Sequence, residues 1–383
     1  MNIGEKHYHD PAYQQELARL DIAILGFFKG WQPKKGYTHA QAARDIQTRN
    51  PRLLIGQYTV LNEAREVPND SAMADVVAKL AWSDWWLRDA GGKRVQWTKQ
   101  YSAWETNFTH WAKPDANGDR YPQWSTRRNS EAYFRDVPEM RIWYTDNVMY
   151  RPRVRADWDK DGIEDDPNDP RILSAWRRGY QDWWASIRAQ HPGILIIGNA
   201  DSDLSEAEFA GQLDGAFLEG LMGKSWSLER RQGWMAMMQR YRDVEKHLRG
   251  PRIVGFNVWG DPSDYKFFRY AFASCLMGDG YFSFTDEKRG YSSVPWFDEY
   301  DVKLGHATTP PPLKPWRNGV WRRDFEHGVV LVNPGLLQQS VTLEPGLRHF
   351  AGKQVTSRNT GQPVTHLSLP GKDGVVLIKA TEP

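Results

Sequence analysis

The chain has 383 residues, of which 40% are hydrophobic and 26% are charged, and its formal net charge is +2. This length exceeds the roughly 250–300 residues that one hydrophobic core usually serves, so we expect one large α/β domain with a small addition. So small a net charge gives no argument for nucleic acid or a membrane surface as the partner, and the sequence has no apolar run long enough to span a bilayer.

Apolar runs alternate with segments of helical spacing through the first three quarters of the chain. The runs that predict strands are 21–27, 52–60, 94–97, 141–148, 194–199, 215–220, 252–259 and 280–286. The segments that predict helices are 39–48, 73–87, 172–190, 228–248 and 264–277. Eight strands alternating with helices predict a (β/α)8 TIM barrel, in which active sites lie at the carboxyl ends of the strands.

The last part of the chain has a different pattern. Residues 310–315 are rich in proline and predict a stiff linker. Short alternating segments at 328–333, 340–343 and 374–378 follow, separated by proline and glycine turns. We therefore predict a catalytic barrel over residues 1–309 and a small all-β, sandwich-like domain over residues 316–383.

Two predicted strands carry a carboxylate close to their carboxyl end, directly after an apolar run. Asp146 lies near the end of the fourth strand and Glu219 near the end of the sixth. Hydrolysis of a glycosidic bond needs two such groups, one to protonate the leaving oxygen and one to act as nucleophile or to activate water. A lone acid at a strand end more often caps a helix or fixes a loop, but two acids at alternate strands of one barrel favour catalysis.

Several stretches together resemble a family of hypothetical bacterial glycoside hydrolases. They include 143–148, 215–220, 276–282, 296–305 and 321–334. That family is a TIM barrel and is distantly similar to the α-1,4-polygalactosaminidase group. In that group an Asp after strand four and a Glu after strand six carry the chemistry, and Asp146 and Glu219 match them. The resemblance implies Asp146 as nucleophile or charge stabiliser and Glu219 as general acid/base, partly protonated near neutral pH.

Polar and aromatic residues near the other strand ends are candidates for binding sugar hydroxyls and ring faces. The candidates are Tyr58, Trp104, Glu105, Asn107, Tyr144, Asn199, Asp201, Trp259, Asp261, Asp286, Asp298, Glu299 and Tyr300, with Asn62 beside them. Trp259 and Glu299 are the first choices, and Glu105 and Glu299 are the alternative acids. The 19 tryptophans are compatible with sugar stacking, although most are expected in the core.

An acidic loop after the fourth predicted strand has the carboxylate spacing of a calcium-binding loop. The candidate ligands are Asp157, Asp159, Asp161, Ile163, Asp165 and Asp169. Position 12 of the pattern is Asn168, where a bidentate Glu is usual, and Asp169 is its substitute. A solvated acidic loop is the alternative. We expect no cofactor for catalysis and a structural calcium ion at most.

Other functional classes have weaker support. The barrel could bind carbohydrate without cleaving it, or it could be a polysaccharide lyase with Tyr144 or His110 as base. The single cysteine, Cys275, excludes an intrachain disulfide, and a buried, inert thiol is expected. The first residues lack the apolar core of a signal peptide, so we expect a cytoplasmic protein or an exported one whose leader lies outside this sequence.

Overall fold

The structure is a computed structural model that describes residues 7–68, 70–200, 204 and 207–380. The chain divides into two compact units. Unit 1 comprises Met1–Phe217 and His247–Arg252, and unit 2 comprises Leu218–Lys246 and Ile253–Pro383. The predicted domain boundaries at residues 309 and 316 lie inside unit 2 and stay predictions.

Parallel strands form the centre of unit 1. Its strands are β1 (Ile22–Leu25), β2 (Leu54–Val60), β3 (Glu63–Arg65), β4 (Ala103–Glu105), β5 (Met140–Val148), β6 (Leu195–Ala200) and β7 (Gly215–Leu218), the last ending on the first residue of unit 2. Strands β1, β2, β5, β6 and β7 pair in that order, all parallel. Strands β3 and β4 form a separate antiparallel ribbon.

The helices of unit 1 are α1 (Pro11–Leu17), α2 (His39–Arg49), α3 (Ala74–Trp82), α4 (Tyr121–Asn129), α5 (Pro170–Gln190) and α6 (Ala207–Ala210). Helices α2 and α5 match the predicted positions within two residues, whereas α3 ends five residues before the predicted end at 87, and α1, α4 and α6 were not predicted. Helix α5 begins at Pro170 because Asp169 caps it, accepting the N–H of Arg171 at 2.8 Å. Its buried face carries Trp176, Trp183 and Trp184, which are fully buried, so these tryptophans belong to the core.

The predicted third strand of the barrel is wrong. Among the residues that the structure describes, 94–97 contribute only an isolated bridge between Arg94 and Arg88, and β2 pairs directly with β5. The run is too short and too charged to be buried on both faces, as a parallel strand must be. The Arg94 guanidinium instead lies over the rings of Trp86 and Trp104, at 4.9 and 4.5 Å from their centroids.

Unit 2 contains a parallel pair and an all-β part. The helices are α7 (Leu228–Gln232), α8 (Trp234–His247) and α9 (Tyr265–Leu276). The strands are β8 (Ile253–Gly260), β9 (Tyr281–Asp286), β10 (Trp321–Phe325), β11 (Gly328–Asn333), β12 (Gln339–Thr342), β13 (Leu347–His349), β14 (His366–Leu369) and β15 (Asp373–Lys379). Strands β8 and β9 are parallel. The predicted helix 228–248 is broken at Gly233, whose φ of 85° no helical residue adopts.

The antiparallel strands at the end of the chain form two sheets, ordered β10-β11-β15-β13 and β12-β14. Their core contains Val329, Leu331 and Leu377, all fully buried. Helix α9 lies directly against β15, because a Cβ added at Gly374 would come within 2.4 Å of the Ala273 Cβ. The protein is thus a mixed α/β fold of parallel strands with added antiparallel sheets.

Among the described residues, no helix has the length and apolar character needed to cross a bilayer.

Candidate active site

The Asp146 carboxylate lies at the carboxyl end of β5 and accepts two hydrogen bonds. The Tyr58 hydroxyl donates to Oδ2 at 2.6 Å, and the Asn199 side-chain amide donates to Oδ1 at 2.9 Å. Tyr58 lies on β2 and Asn199 on β6, the two strands that flank β5. The neighbouring strands therefore hold both carboxylate oxygens of a half-buried acid in one orientation.

A bulge in β5 determines how this acid is presented. The register between β5 and β6 shifts between Thr145 and Val148, and Asn147 has a left-handed φ of 53°. Asparagine tolerates this conformation better than most residues. Its side-chain amide donates to Glu63 at 3.2 Å, and its carbonyl accepts the hydroxyl of Tyr180 at 2.9 Å. Such an inserted residue re-aims side chains at the end of a strand.

Two tyrosines form the wall beside Asp146. The rings of Tyr58 and Tyr144 are stacked, with centroids 6.0 Å apart and planes at 27°. Tyr144 is fully buried and meets Phe217 of β7 edge to face at 6.1 Å. Packing therefore fixes the ring of Tyr58, whose hydroxyl reaches the carboxylate.

A buried ion-pair network lies next to Asn147. Arg153 bridges two carboxylates, donating to Glu105 at 2.9 Å and to Glu63 at 2.5 Å. Glu63 also accepts the indole N–H of Trp97 at 3.0 Å, and the Arg153 guanidinium lies 4.4 Å from that ring. Burial raises the pKa of Glu105 to about 7, with the attraction of Arg153 opposing the shift and the charge of Glu63 adding to it.

The other predicted sugar-binding residues in unit 1 differ in their burial and contacts. Asn107 donates to the Trp158 carbonyl at 2.8 Å and accepts from Thr109, so it fixes a loop. Asn62 is fully buried. Trp104 lines a cavity of about 710 Å³ together with residues of α3. Asp201 lies outside the described residues.

Glu219 follows β7 as the second residue of unit 2. Its Oε1 accepts a hydrogen bond from the hydroxyl of Tyr291. Asn257 on β8 holds the chain just beyond, because its side-chain oxygen accepts the N–H of Gly220 at 3.1 Å and its carbonyl accepts that of Leu221 at 2.9 Å. These bonds fix the backbone that carries Glu219.

Glycine is required in the loop after Glu219. Gly220 has a φ of 63°, and a Cβ there would lie 2.1 Å from the Trp226 ring. Gly223 has a φ of 91°, and a Cβ there would lie 2.3 Å from the Trp259 carbonyl. The loop therefore packs closely against aromatic residues, as a wall that stacks on sugar rings would.

Trp259, the first choice among the predicted sugar contacts, lies at the end of β8. Its ring meets Tyr291 edge to face at 5.1 Å, and the Lys224 ammonium lies 5.5 Å from its centroid. Within unit 2 the structure thus groups Trp259 with Glu219 through Tyr291.

Four other candidates in unit 2 have internal contacts. Asp286 accepts the N–H groups of Lys288 and Arg289, and Asp298 accepts that of Gln354 at 2.7 Å. Glu299 accepts the side-chain amide of Asn359 at 3.2 Å, and burial raises its pKa. Asp261 pairs with Lys288 at 3.0 Å. These contacts fix loops, and the sugar-binding roles stay predictions.

Tyr300 belongs to an aromatic cluster with Phe268, Phe272 and Phe297, whose ring centroids lie 5.4–5.6 Å from its own. Burial raises the pKa of its hydroxyl well above the ordinary value. Packing of α9 accounts for this position, and a sugar contact stays a prediction.

The acidic loop brings together three of its six candidate ligands. Carboxylate oxygens of Asp157, Asp159 and Asp165 lie within 4.8 Å of one another. Burial, followed by the charge of Asp159, raises the pKa of Asp165. Arg171 approaches Asp159 at 3.3 Å and Asp165 at 3.7 Å, so it supplies part of the counter-charge.

Asp161 and Asp169 are outside that group of carboxylates, and the role of Ile163 stays a prediction. Asp161 accepts the N–H of Ile163 at 2.8 Å, and Asp169 caps α5. The set of three carboxylates fits a hard cation such as calcium, which prefers oxygen ligands, but it supplies fewer ligands than the pattern predicted.

Sequence reasoning missed Glu63, Arg153 and Tyr291. Glu63 and Arg153 are 90 residues apart in the chain, and Tyr291 is 72 residues from Glu219. The spacing of residue types along the chain does not indicate contacts between residues so far apart in the sequence. The one local signal is the turn sequence Asp286–Gly290 that comes directly before Tyr291.

Residues 144–329 match hypothetical glycosyl hydrolase family 15. This match confirms the resemblance predicted from the sequence and supports glycosidase as the enzyme class, with a carbohydrate as substrate. The sequence matches none of the curated proteins with which it was compared.

Solved structures of carbohydrate-active enzymes have a similar fold. Amy13B of Eubacterium rectale superimposes with a TM-score of 0.56 at 10% identity, over 100% of this chain and 94% of that one. The cycloalternan-forming enzyme of Listeria monocytogenes gives a TM-score of 0.51 at 9% identity, over 100% of this chain and 41% of that one. The glycoside hydrolase domain of PelA from Pseudomonas aeruginosa gives 0.46 at 13% identity, over 76% and 96%. At these identities the first two likenesses concern the fold alone, and a TM-score of 0.46 supports no conclusion about this chain.

Proposed function

We propose that the protein hydrolyses O-glycosidic bonds of a polysaccharide or oligosaccharide, with Asp146 and Glu219 as the two carboxylates. The observation that carries this proposal is that Asp146, at a strand end, is oriented by Tyr58 and Asn199 from both neighbouring strands. It is further supported by the position of Glu219 at the end of β7, on a fixed backbone beside Tyr291. The proposal includes the (β/α)8 barrel predicted from the sequence, a fold whose active sites lie at the carboxyl ends of the strands.

The roles of the two acids follow from their chemistry. Glu219 in its protonated form donates a proton to the leaving glycosidic oxygen. In a retaining mechanism its carboxylate then activates the water that hydrolyses the glycosyl-enzyme, whereas in an inverting mechanism Asp146 activates the water. Asp146, whose two oxygens accept hydrogen bonds from a tyrosine hydroxyl and an amide, serves as nucleophile or stabilises the positive charge of the oxocarbenium-like transition state. Carboxylates about 5 Å apart give retention of configuration, and a separation of roughly 6.5–9.5 Å gives inversion.

The test is release of reducing sugar from a panel of bacterial and plant polysaccharides. We expect one polymer to be cut, and Glu219→Gln and Asp146→Asn each to lower the rate by at least about a hundredfold while circular dichroism shows a folded protein. Asp182→Asn is the matched control, because this carboxylate lies on the exposed side of α5 and pairs only locally with Arg178.

Equal cutting by wild type and both variants would contradict the assignment and make Glu105 and Glu299 the next pair. A sugar that binds and is never cut would instead favour a binding protein. NMR of the first anomer released distinguishes retention from inversion.

We also propose that the loop of Asp157, Asp159 and Asp165 binds a structural calcium ion. The convergence of the three carboxylates supports this, and the ion would offset their mutual repulsion. It would stabilise the loop that follows β5, and no catalytic role is assigned to it.

A further inference from the structure

We propose that Tyr291 is a positioning residue for Glu219, orienting its carboxylate and setting the pH at which it gains its proton. The inference rests on the proposed function, in which Glu219 is the general acid/base. The direct observation is the hydrogen bond that the Tyr291 hydroxyl donates to Glu219 Oε1. A hydroxyl donor stabilises a carboxylate more than a carboxylic acid, so this contact favours the ionised form.

A hydrogen-bonded turn over residues 286–290 places Tyr291 beside Glu219. The Asp286 carboxylate accepts the N–H groups of Lys288 at 2.9 Å and Arg289 at 3.2 Å. The Gly290 N–H closes the turn on the Asp286 carbonyl at 2.7 Å. Gly290 has a φ of 57°, which a residue with a Cβ adopts only with strain. The chain therefore leaves the turn in one direction, at Tyr291.

The ring of Tyr291 is held as well as its backbone. It packs edge to face against Trp259, with centroids 5.1 Å apart. The Lys224 ammonium lies 5.5 Å from the centroid of the Trp259 ring. A ring in this packing has little freedom, so its hydroxyl acts as a fixed donor.

The charged groups around this loop pair with one another. Lys224 and Glu287 are 3.4 Å apart, and Asp261 and Lys288 are 3.0 Å apart. Each pair combines one positive and one negative charge, so neither pair adds a net charge beside the loop. The hydrogen bond from Tyr291 is the contact with the Glu219 carboxylate on which the proposal rests.

The experiment measures that protonation directly and does not require a substrate. Protein labelled with 13C at the glutamate carboxyl carbon is titrated by NMR, and loss of a signal in Glu219→Gln assigns the resonance. In Tyr291→Phe we expect the titration midpoint of Glu219 to rise by about one pH unit or more, since a hydrogen bond to a charged group has roughly that effect. Tyr281→Phe is the matched control, because Tyr281 is 43% exposed at the start of β9.

A second readout comes from kinetics on the polymer identified above. A general acid must be protonated, so the alkaline limb of the kcat/KM profile should move upward in Tyr291→Phe together with the NMR midpoint. A role in packing alone would lower activity without moving this limb. Gly290→Ala, which displaces Tyr291 through backbone strain, should shift both readouts in the same direction.

The outcomes separate the two proposals. If Glu219→Gln is inactive while the midpoint and the alkaline limb are unchanged in Tyr291→Phe, the role of Tyr291 is overturned and the proposed function stands. If Glu219→Gln keeps full activity, the proposed function fails, whatever the NMR titration shows. If Tyr291→Phe does not fold, 3,5-difluorotyrosine at position 291 replaces it; this stronger donor must lower the midpoint, and an unchanged midpoint refutes the inference.

Discussion

Glu105→Gln is expected to change the pH dependence of stability. Glu105 is 1% exposed, and burial raises the pKa of its carboxyl to about 7 from an ordinary value of 4.5. Between these two values the folded state binds a proton that the unfolded state has released, so the free energy of unfolding falls as the pH rises. A difference of about 2.5 units, at 1.36 kcal/mol each, corresponds to about 3 kcal/mol.

The contribution of the proton on Glu105 to the free energy of unfolding is fully present below about pH 4.5 and is lost by about pH 7. Glutamine carries no charge at any pH, so the Glu105→Gln variant does not lose this stability as the pH rises. We expect the free energy of unfolding of Glu105→Gln, relative to wild type, to increase by about 3 kcal/mol from about pH 4.5 to about pH 8. The attraction between ionised Glu105 and Arg153 is already part of this pKa, so only the difference between the amide and the protonated carboxyl in contact with Arg153 remains, and it does not depend on pH.

Urea unfolding, followed by tryptophan fluorescence over this pH range, measures the difference. Glu131→Gln is the control, because this carboxylate is 57% exposed and pairs with Arg135 only at 3.9 Å. Parallel curves for wild type and Glu105→Gln would refute the reasoning, since they would mean that Glu105 titrates in the folded protein as it does in the unfolded chain.

Two further predictions concern other parts of the chain. Chelation with EDTA should lower the melting temperature, because Asp157, Asp159 and Asp165 would lose the cation that offsets their repulsion; an unchanged melting temperature, with Arg171 supplying the counter-charge, would count against calcium. Gly374→Ala should destabilise the protein by about 1–3 kcal/mol in urea, because its Cβ would overlap backbone and Cβ atoms of α9. The control for it is Gly193→Ala, where nothing lies within 4 Å, and equal effects of the two changes would contradict the packing argument.

Much of the fold could be predicted because buried parallel strands are continuous apolar runs. Strands β5 and β6 and helix α5 were located within a residue or two by this signal. The prediction of a third strand was wrong because the run 94–97 is short and charged, and the Arg94 guanidinium packs against two tryptophan rings instead. The break at Gly233 lies within an otherwise helical spacing, which hides it.

The candidate site was predicted in part. Tyr58 and Asn199 were named from their strand-end positions, and both contact Asp146. Arg153 and Tyr291 could not be found in the same way, because each lies in a loop and meets its partner only through the tertiary fold. A pattern along the chain shows which strand ends carry acids, but not which loop residues reach those acids.

The extra residue in β5 has a consequence for engineering. In a regular strand Asp146 and Asn147 would point to opposite faces, and only one of them could serve the same surface. The bulge instead gives each a polar partner, Asp146 in the neighbouring strands and Asn147 in the β3–β4 ribbon. A scaffold that receives the Asp146 cluster by transplantation must therefore receive the irregular backbone with it, because an ideal strand carrying the same letters would turn one of the two side chains away.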